Sequence, residues 1–212
     1  MFQDYKYYLK EPYDFYKSTW FGIGLAVWVI GGVLRYIYEL IFYWFNSGRL
    51  VWYFRGSTFG PWIDVYCIVS LLMFLALYKL RRQPWFVILI SAAAGSAVQL
   101  GIGLLLYYVC GGIRVWNYNL EILNYGSLGG FICVRSAVEF AVLALLIIYV
   151  VVPLIFRMAC NLSPVTFALI WYIIGFLCIA DIVYNDIVCA FVPGMISAQQ
   201  IYQNIGFKYM SY

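Results

Sequence analysis

Residues 55–66 read Arg-Gly-Ser-Thr-Phe-Gly-Pro-Trp-Ile-Asp-Val-Tyr, a turn-rich stretch set between two strongly apolar segments. Gly56 and the Gly60-Pro61 pair supply sharp turns and close backbone approach. Pro61 is expected at the first turn of the next helix, where its missing N–H is no loss. Arg55 and Asp64 put charge at the mouth of that helix. A second polar stretch, Arg114 to Asn124, recurs between two later apolar segments. Polar connections alternating with apolar runs of membrane length predict an all-α, polytopic membrane helix bundle. Both loops are expected on one side of the membrane, forming one site.

Composition agrees with that class. Of 212 residues, 66% are apolar and 10% charged, whereas a soluble domain carries about 25% charged residues. The net charge of +4 is small and its lysines and arginines are dispersed, which speaks against nucleic-acid binding and fits charges that set topology. The chain has no histidine, so the commonest general base and metal ligand is missing. None of the six cysteines forms a Cys-x-x-Cys pair, and five sit in or beside apolar runs, where cysteine packs as a small hydrophobe. A Cys110–Cys133 bridge across the second loop is conceivable but weakly supported by spacing alone. No cofactor or metal is expected.

Residues 1–19 mix tyrosines with Lys6, Lys10 and Lys17, a composition suited to the headgroup zone and equally to an aromatic tail. Residues 20–192 form one transmembrane domain and residues 193–212 a tail. Five spans are expected, near 20–45, 62–78, 84–108, 132–156 and from 165 to at least 182. Arg35 and Glu39 in the first, and Arg135 and Glu139 in the fourth, are each spaced i, i+4 and share a helical face. Two readings of Glu39 stand side by side, a structural ion pair and a carboxylate facing a polar cavity. In the third span Ser91, Gly95, Gln99 and Gly103 recur every four residues, a face of small residues suited to close helix packing. The N-terminus and the loops after spans two and four hold seven lysines and arginines against five on the other side. That bias puts the N-terminus in the cytoplasm.

Around one entrance these expectations gather Glu39, Arg55, Asp64, Tyr66, Gln99, Trp116, Asn117, Tyr118, Asn124 and Asp181 as candidate ligand-binding residues. Cations, amides and aromatic faces converging on a partly dry pocket are how small-ligand sites are built. Trp, Tyr and Arg also populate membrane interfaces for purely physical reasons, and that reading is at least as strong. No Gly-x-Ser-x-Gly elbow and no phosphate-binding Gly-x-x-x-x-Gly-Lys-Ser/Thr loop occurs. Enzymatic chemistry is therefore not expected, and an ATP-driven role needs a separate ATPase subunit.

Several motifs resemble the bacterial family of type IV ABC-transporter membrane proteins. They are Tyr38-Glu39, Arg55-Gly56, Gly60-Pro61, Tyr66, Trp116-Asn117-Tyr118-Asn119, Asn124 and Gly130-Phe131-Ile132-Cys133, with Pro153 ending the fourth span and Asp181 in the fifth. The resemblance covers about residues 20–190. It implies a bacterial inner-membrane transport component for a small solute, partnered by a separate ATPase or a second copy. The chain departs from the pattern in carrying Asn117 and Gln99 where the family has acids. A non-transporting accessory, sensor or small-ligand or lipid-binding module is the alternative, packing through Ser91, Gly95 and Gly103. A membrane-embedded enzyme ranks last.

Overall fold

The computed structural model describes residues 8–9, 13–47, 53–54, 58–109, 112, 116–121, 123–206 and 208–209. Helices α1 (Lys17–Ser47), α2 (Asp64–Leu77), α3 (Pro84–Tyr108), α4 (Val134–Asn161) and α5 (Pro164–Val188) run in alternating directions, followed by the short α6 (Ala198–Asn204). Strands β1 (Tyr53–Phe54) and β2 (Lys208–Tyr209) pair in parallel, two residues each.

Among the described residues four helices, not the expected five, are long and apolar enough to cross a membrane: α1, α3, α4 and α5. With 14 residues, α2 spans about 21 Å at 1.5 Å per residue, short of a hydrocarbon core of about 30 Å. The second expected span is correspondingly shorter at its start. Pro61 lies three residues ahead of the helix, in a bend held by Thr58 Oγ1, which donates to the Trp62 carbonyl at 3.0 Å. The Ile63 amide donates to Gly32 O, halfway along α1, so the chain folds back into the bundle before α2 begins.

α4 is the central helix. Its Phe140, Leu143, Ala144, Ile147, Ile148, Val151, Val152, Ile155 and Phe156 face α1, α2 and α5 in one core. Pro153 does not end it. A proline in mid-helix removes one amide and crowds the preceding turn; here a π turn over Ile147–Val151 absorbs the misfit and the helix runs on to Asn161. The α1–α2 crossing rests on Gly31 and Gly32. A Cβ on either would fall 2.0 Å from Ser70 Oγ or 2.3 Å from Cys67 Sγ, so only glycine permits the approach.

At the opposite end from the two loops, Tyr8 is a plug. It is 1% exposed and its hydroxyl donates to Ile148 O at 2.6 Å. Arg81 Nε donates to Tyr8 O at 2.8 Å, and Arg82 Nε to Leu9 O at 2.9 Å. Tyr8, Tyr13, Phe15, Trp20 and Tyr78 surround the Phe156 ring. The aromatic side chains of this segment pack as a cap on the bundle.

The small face of α3 is spent inside the chain. A Cβ on Gly95 would meet the Phe140 ring of α4 at 2.4 Å, and one on Gly103 would meet Phe131 at 2.7 Å; Gly101, on the other side of the helix, has nothing within 4 Å. Substituting Gly95→Ala should cost about 1–3 kcal/mol through overpacking, and Gly101→Ala should be neutral or stabilising by up to about 1 kcal/mol. Thermal unfolding of both variants in detergent measures the contrast, and equal melting temperatures would contradict it.

Candidate functional site

Two Arg-x-x-x-Glu pairs interlock where α1 meets α4. Because each pair is spaced i, i+4, its members share one face. Arg35 Nε lies 3.0 Å from Glu39 Oε1, and Arg35 Nη1 donates across the interface to Glu139 Oε2 at 2.8 Å. Tyr38 donates its hydroxyl to Glu139 Oε1 at 2.5 Å. Arg135 Nε sits 3.1 Å from the same oxygen, and its Nη2 pairs with Glu121 from the second loop. Each guanidinium also lies against two rings. Arg35 is 4.3 Å from the Tyr66 ring centre and 4.7 Å from that of Tyr38. Arg135 is 4.5 Å from Phe42 and 5.2 Å from Tyr118. Charges at this depth persist only when paired and hydrogen-bonded, and this network meets that condition with carboxylates on both sides of each arginine.

The second loop closes over the network. Gly129 and Gly130 adopt φ of +61° and +82°, a left-handed turn that glycine makes without strain. It returns the chain so that the Tyr118 amide donates to Gly130 O and Trp116 Nε1 donates to Phe131 O at 2.8 Å. The extended backbone at Asn117 sends alternate side chains to opposite sides. Trp116 and Tyr118 therefore face the bundle. Asn117 Oδ1 instead accepts from the Asn119 amide, and Asn124 Nδ2 donates to Asn119 O. Burial, with the Tyr66 hydroxyl nearby, pushes the Tyr118 phenol well above its ordinary value, so it stays neutral.

A cavity of about 610 Å³ lies beside the network, between α1, α2, α3 and α4. Glu39, Asp64, Tyr66, Gln99, Trp116 and Tyr118 of the sequence candidates line it, together with Arg35, Arg135, Glu121 and Glu139. Gln99 Nε2 donates to Tyr118 Oη at 2.7 Å, while Gln99 Oε1 has no hydrogen-bond partner. Of the two amide-for-acid departures, Gln99 is in the cavity and Asn117 is a turn cap outside it.

Other candidates do not join. Asp181 is placed elsewhere, which corrects the expectation that it gathers with Glu39 and Gln99 around one entrance. Its two oxygens accept from the Phe59 and Gly60 amides at 2.9 and 2.8 Å, and Asn185 Nδ2 donates to Oδ1 at 2.8 Å. Backbone amides folded back into a bundle need acceptors, and this carboxylate supplies them. Asn185 also accepts from the Ala198 amide, and Tyr202 donates to Phe59 O, so the first loop is clasped by α5 and α6, and among the described residues of the 55–66 stretch Ile63, Asp64, Val65 and Tyr66 line the cavity. Arg55, Cys110 and Arg114 lie outside the described residues. Cys133 is a free, buried thiol. Ser91 donates to Val87 O within its own helix, Gly95 packs on Phe140 of α4 and Gly103 on Phe131 and Trp116 of the second loop, so these positions are taken up inside the chain. Sequence reasoning noticed both Arg-x-x-x-Glu pairs but missed that they interlock; the repeated spacing was the available signal.

Substituting Glu139→Ala removes the acceptor shared by Arg35, Arg135 and Tyr38, and should destabilise by about 3–5 kcal/mol. Asp64→Ala, which loses only a favourable charge at a helix N-terminus, should cost under about 1 kcal/mol. Thermal melts in detergent would separate the two. Asp181→Ala removes two charge-assisted hydrogen bonds of about 1.5–3 kcal/mol each. It should raise amide exchange at Phe59 and Gly60 while the Ile148 region stays protected; unchanged exchange at those amides would contradict the clasp.

No curated protein and no solved structure matches the chain. The family described as "Putative ABC-transporter type IV" matches residues 26–185, a range that holds the Arg35–Glu139 network, the second loop and the Asp181 clasp. The chain belongs to that family.

Proposed function

We propose that this protein is the membrane component of a transport system for a small solute, and that the cavity beside the Arg35–Glu139 network is where the solute is held. The observation that carries the reading is the juxtaposition of a fully paired charge network with a cavity of about 610 Å³. A network needed only for folding is replaceable by packed apolar side chains at little cost. Charges kept at membrane depth beside open space argue for a site that handles something polar. Membership of the family supports transport as the setting.

The chain carries no nucleotide-binding loop, so in this reading energy comes from a separate ATPase subunit and the chain itself performs no covalent chemistry. The excess of lysine and arginine on the N-terminal side supports an orientation with that end, the Tyr8 plug and the Arg81-Arg82 turn in the cytoplasm of a bacterial inner membrane. The network and second loop then face outward, and a cytoplasmic subunit would meet the N-terminal side of the bundle.

Purification from the native membrane in mild detergent should recover an ATPase in fixed stoichiometry, identified by mass spectrometry. Solute uptake in reconstituted vesicles should fall at least about tenfold in Glu39→Ala and Gln99→Ala, as expected for loss of buried polar contacts, with insertion preserved. Recovery of the chain alone, with uptake independent of Glu39 and Gln99, would overturn the reading.

A further inference from the structure

We propose that the cavity takes a single-chain amphiphile with a cationic, hydrogen-bond-donating head group, admitted sideways from the bilayer between α2 and α3. This rests on the reading of the cavity as the substrate site and names the class of molecule it would hold.

Where the cavity opens is the first observation. α2 and α3 are consecutive and joined by a turn at 81–83, but the two helices have no substantial contact with each other. Val65 and Leu72 of α2 and Ile90, Val98 and Ile102 of α3 line the cavity and are also exposed on the bundle surface. The mouth is therefore an apolar cleft at the depth of the hydrocarbon, with lipid rather than water outside it.

The cavity is graded along its length. Its loop end holds Arg35, Glu39, Glu121, Arg135 and Glu139 beside Tyr118 and Gln99. Its other end is lined by residues such as Met73, Ala76, Leu77, Ile90 and Ala94. From Gln99 down to Ile90 is nine residues of α3, roughly 13 Å of apolar wall. One polar pole and one apolar trough fit a molecule with a head and a single tail, and the volume is that of a drug-sized ligand site.

Charge sets the sign of the head. Among the described residues four carboxylates line the cavity, Glu39, Asp64, Glu121 and Glu139, against two guanidinium groups, Arg35 and Arg135. Both arginines are already engaged with carboxylates inside the network, so neither guanidinium is offered to an anionic head. Independently, Gln99 is only 9% exposed and its Oε1 has no partner. A buried carbonyl oxygen without a donor is costly, and an ammonium head would supply the donor. The rings of Tyr66, Tyr118 and Trp116 offer faces that attract the same charge. Among the described residues no three acidic, cysteine or histidine side chains converge as metal ligands do, which favours an organic cation.

Native mass spectrometry of the purified protein in neutral detergent, without any ATPase, tests this with three probes of equal chain length. Dodecylammonium should give a saturable one-to-one adduct, dodecyltrimethylammonium a weaker one for want of N–H donors, and dodecanoate none. Gln99→Leu should lower dodecylammonium affinity roughly tenfold, as loss of one charge-assisted hydrogen bond implies, and should erase the preference over dodecyltrimethylammonium. Val98→Trp, at the exposed mouth where folding tolerates bulk, should block all binding while the melting temperature holds. Equal binding of dodecanoate and dodecylammonium, or wild-type binding by Val98→Trp, would overturn the proposal. The measurement needs neither flux nor a partner, so a failed adduct with a recovered ATPase refutes the ligand class alone, and a sound adduct without an ATPase refutes the transport setting alone.

Discussion

Arg35 and Glu139 are the contact on which the rest of the bundle depends. A charge taken into a bundle of this depth must meet its opposite with good geometry or the helix that carries it will not pack. The sequence writes the same order, Arg then Glu one turn later, on α1 and on α4. Because α4 runs against α1, that repeated order sets Arg35 beside Glu139. Had the helices run parallel in the same register, like would have faced like. The pattern is thus a register device as well as a source of binding energy. It fixes which faces meet and how far each helix is slid along the other, a role in which buried polar groups serve better than apolar ones.

That constraint propagates. With α1 and α4 pinned, the glycine pair at 31–32 lets α2 close against α1, and the short α2 leaves its far side open toward α3. The segment before α2 must then fold back into the bundle to reach Gly32. Its exposed amides at Phe59 and Gly60 require an acceptor, and Asp181 provides it. A carboxylate on α5 is therefore a consequence of where α2 starts, which is set by the α1–α2 approach. The Tyr8 plug completes the opposite end in the same way, with Arg81 and Arg82 donating to the Tyr8 and Leu9 carbonyls.

Much of the fold was legible in the sequence because apolar runs of membrane length leave few alternatives. α3 begins at Pro84 and ends at Tyr108, as the pattern predicts. What misled was local punctuation. Gly60-Pro61 looks like a helix start, yet the turn is tied off by Thr58 and the helix waits until Asp64. Pro153 looks like a helix end, yet a π turn absorbs it. Both outcomes depend on tertiary contacts that no residue pattern states. The site was legible in part for the same reason. Tyr118 and Asn117 are neighbours in sequence, and only the extended backbone between them sends one into the cavity and the other into a turn. Asp181 and Glu39 look alike as acids in apolar runs. Asp181 is taken up by the Phe59 and Gly60 amides and Glu39 by Arg35, a difference that arises only once the first loop has a place to fold.

The network and the cavity belong to one argument. If the charges served register alone, nothing would call for a cleft beside them, because closer packing there would gain dispersion contacts. Filling it would need only larger side chains at Ala76, Ala94 or Val98, substitutions that sequences reach easily. The cleft instead runs from the paired charges to the membrane face, with Ala76, Ala94 and Gly95 in its wall and the amide oxygen of Gln99 left without a donor. Register explains the ion pairs. It does not explain the cleft, the direction in which it opens or the unpaired oxygen of Gln99, and a ligand with a head and a tail explains all three.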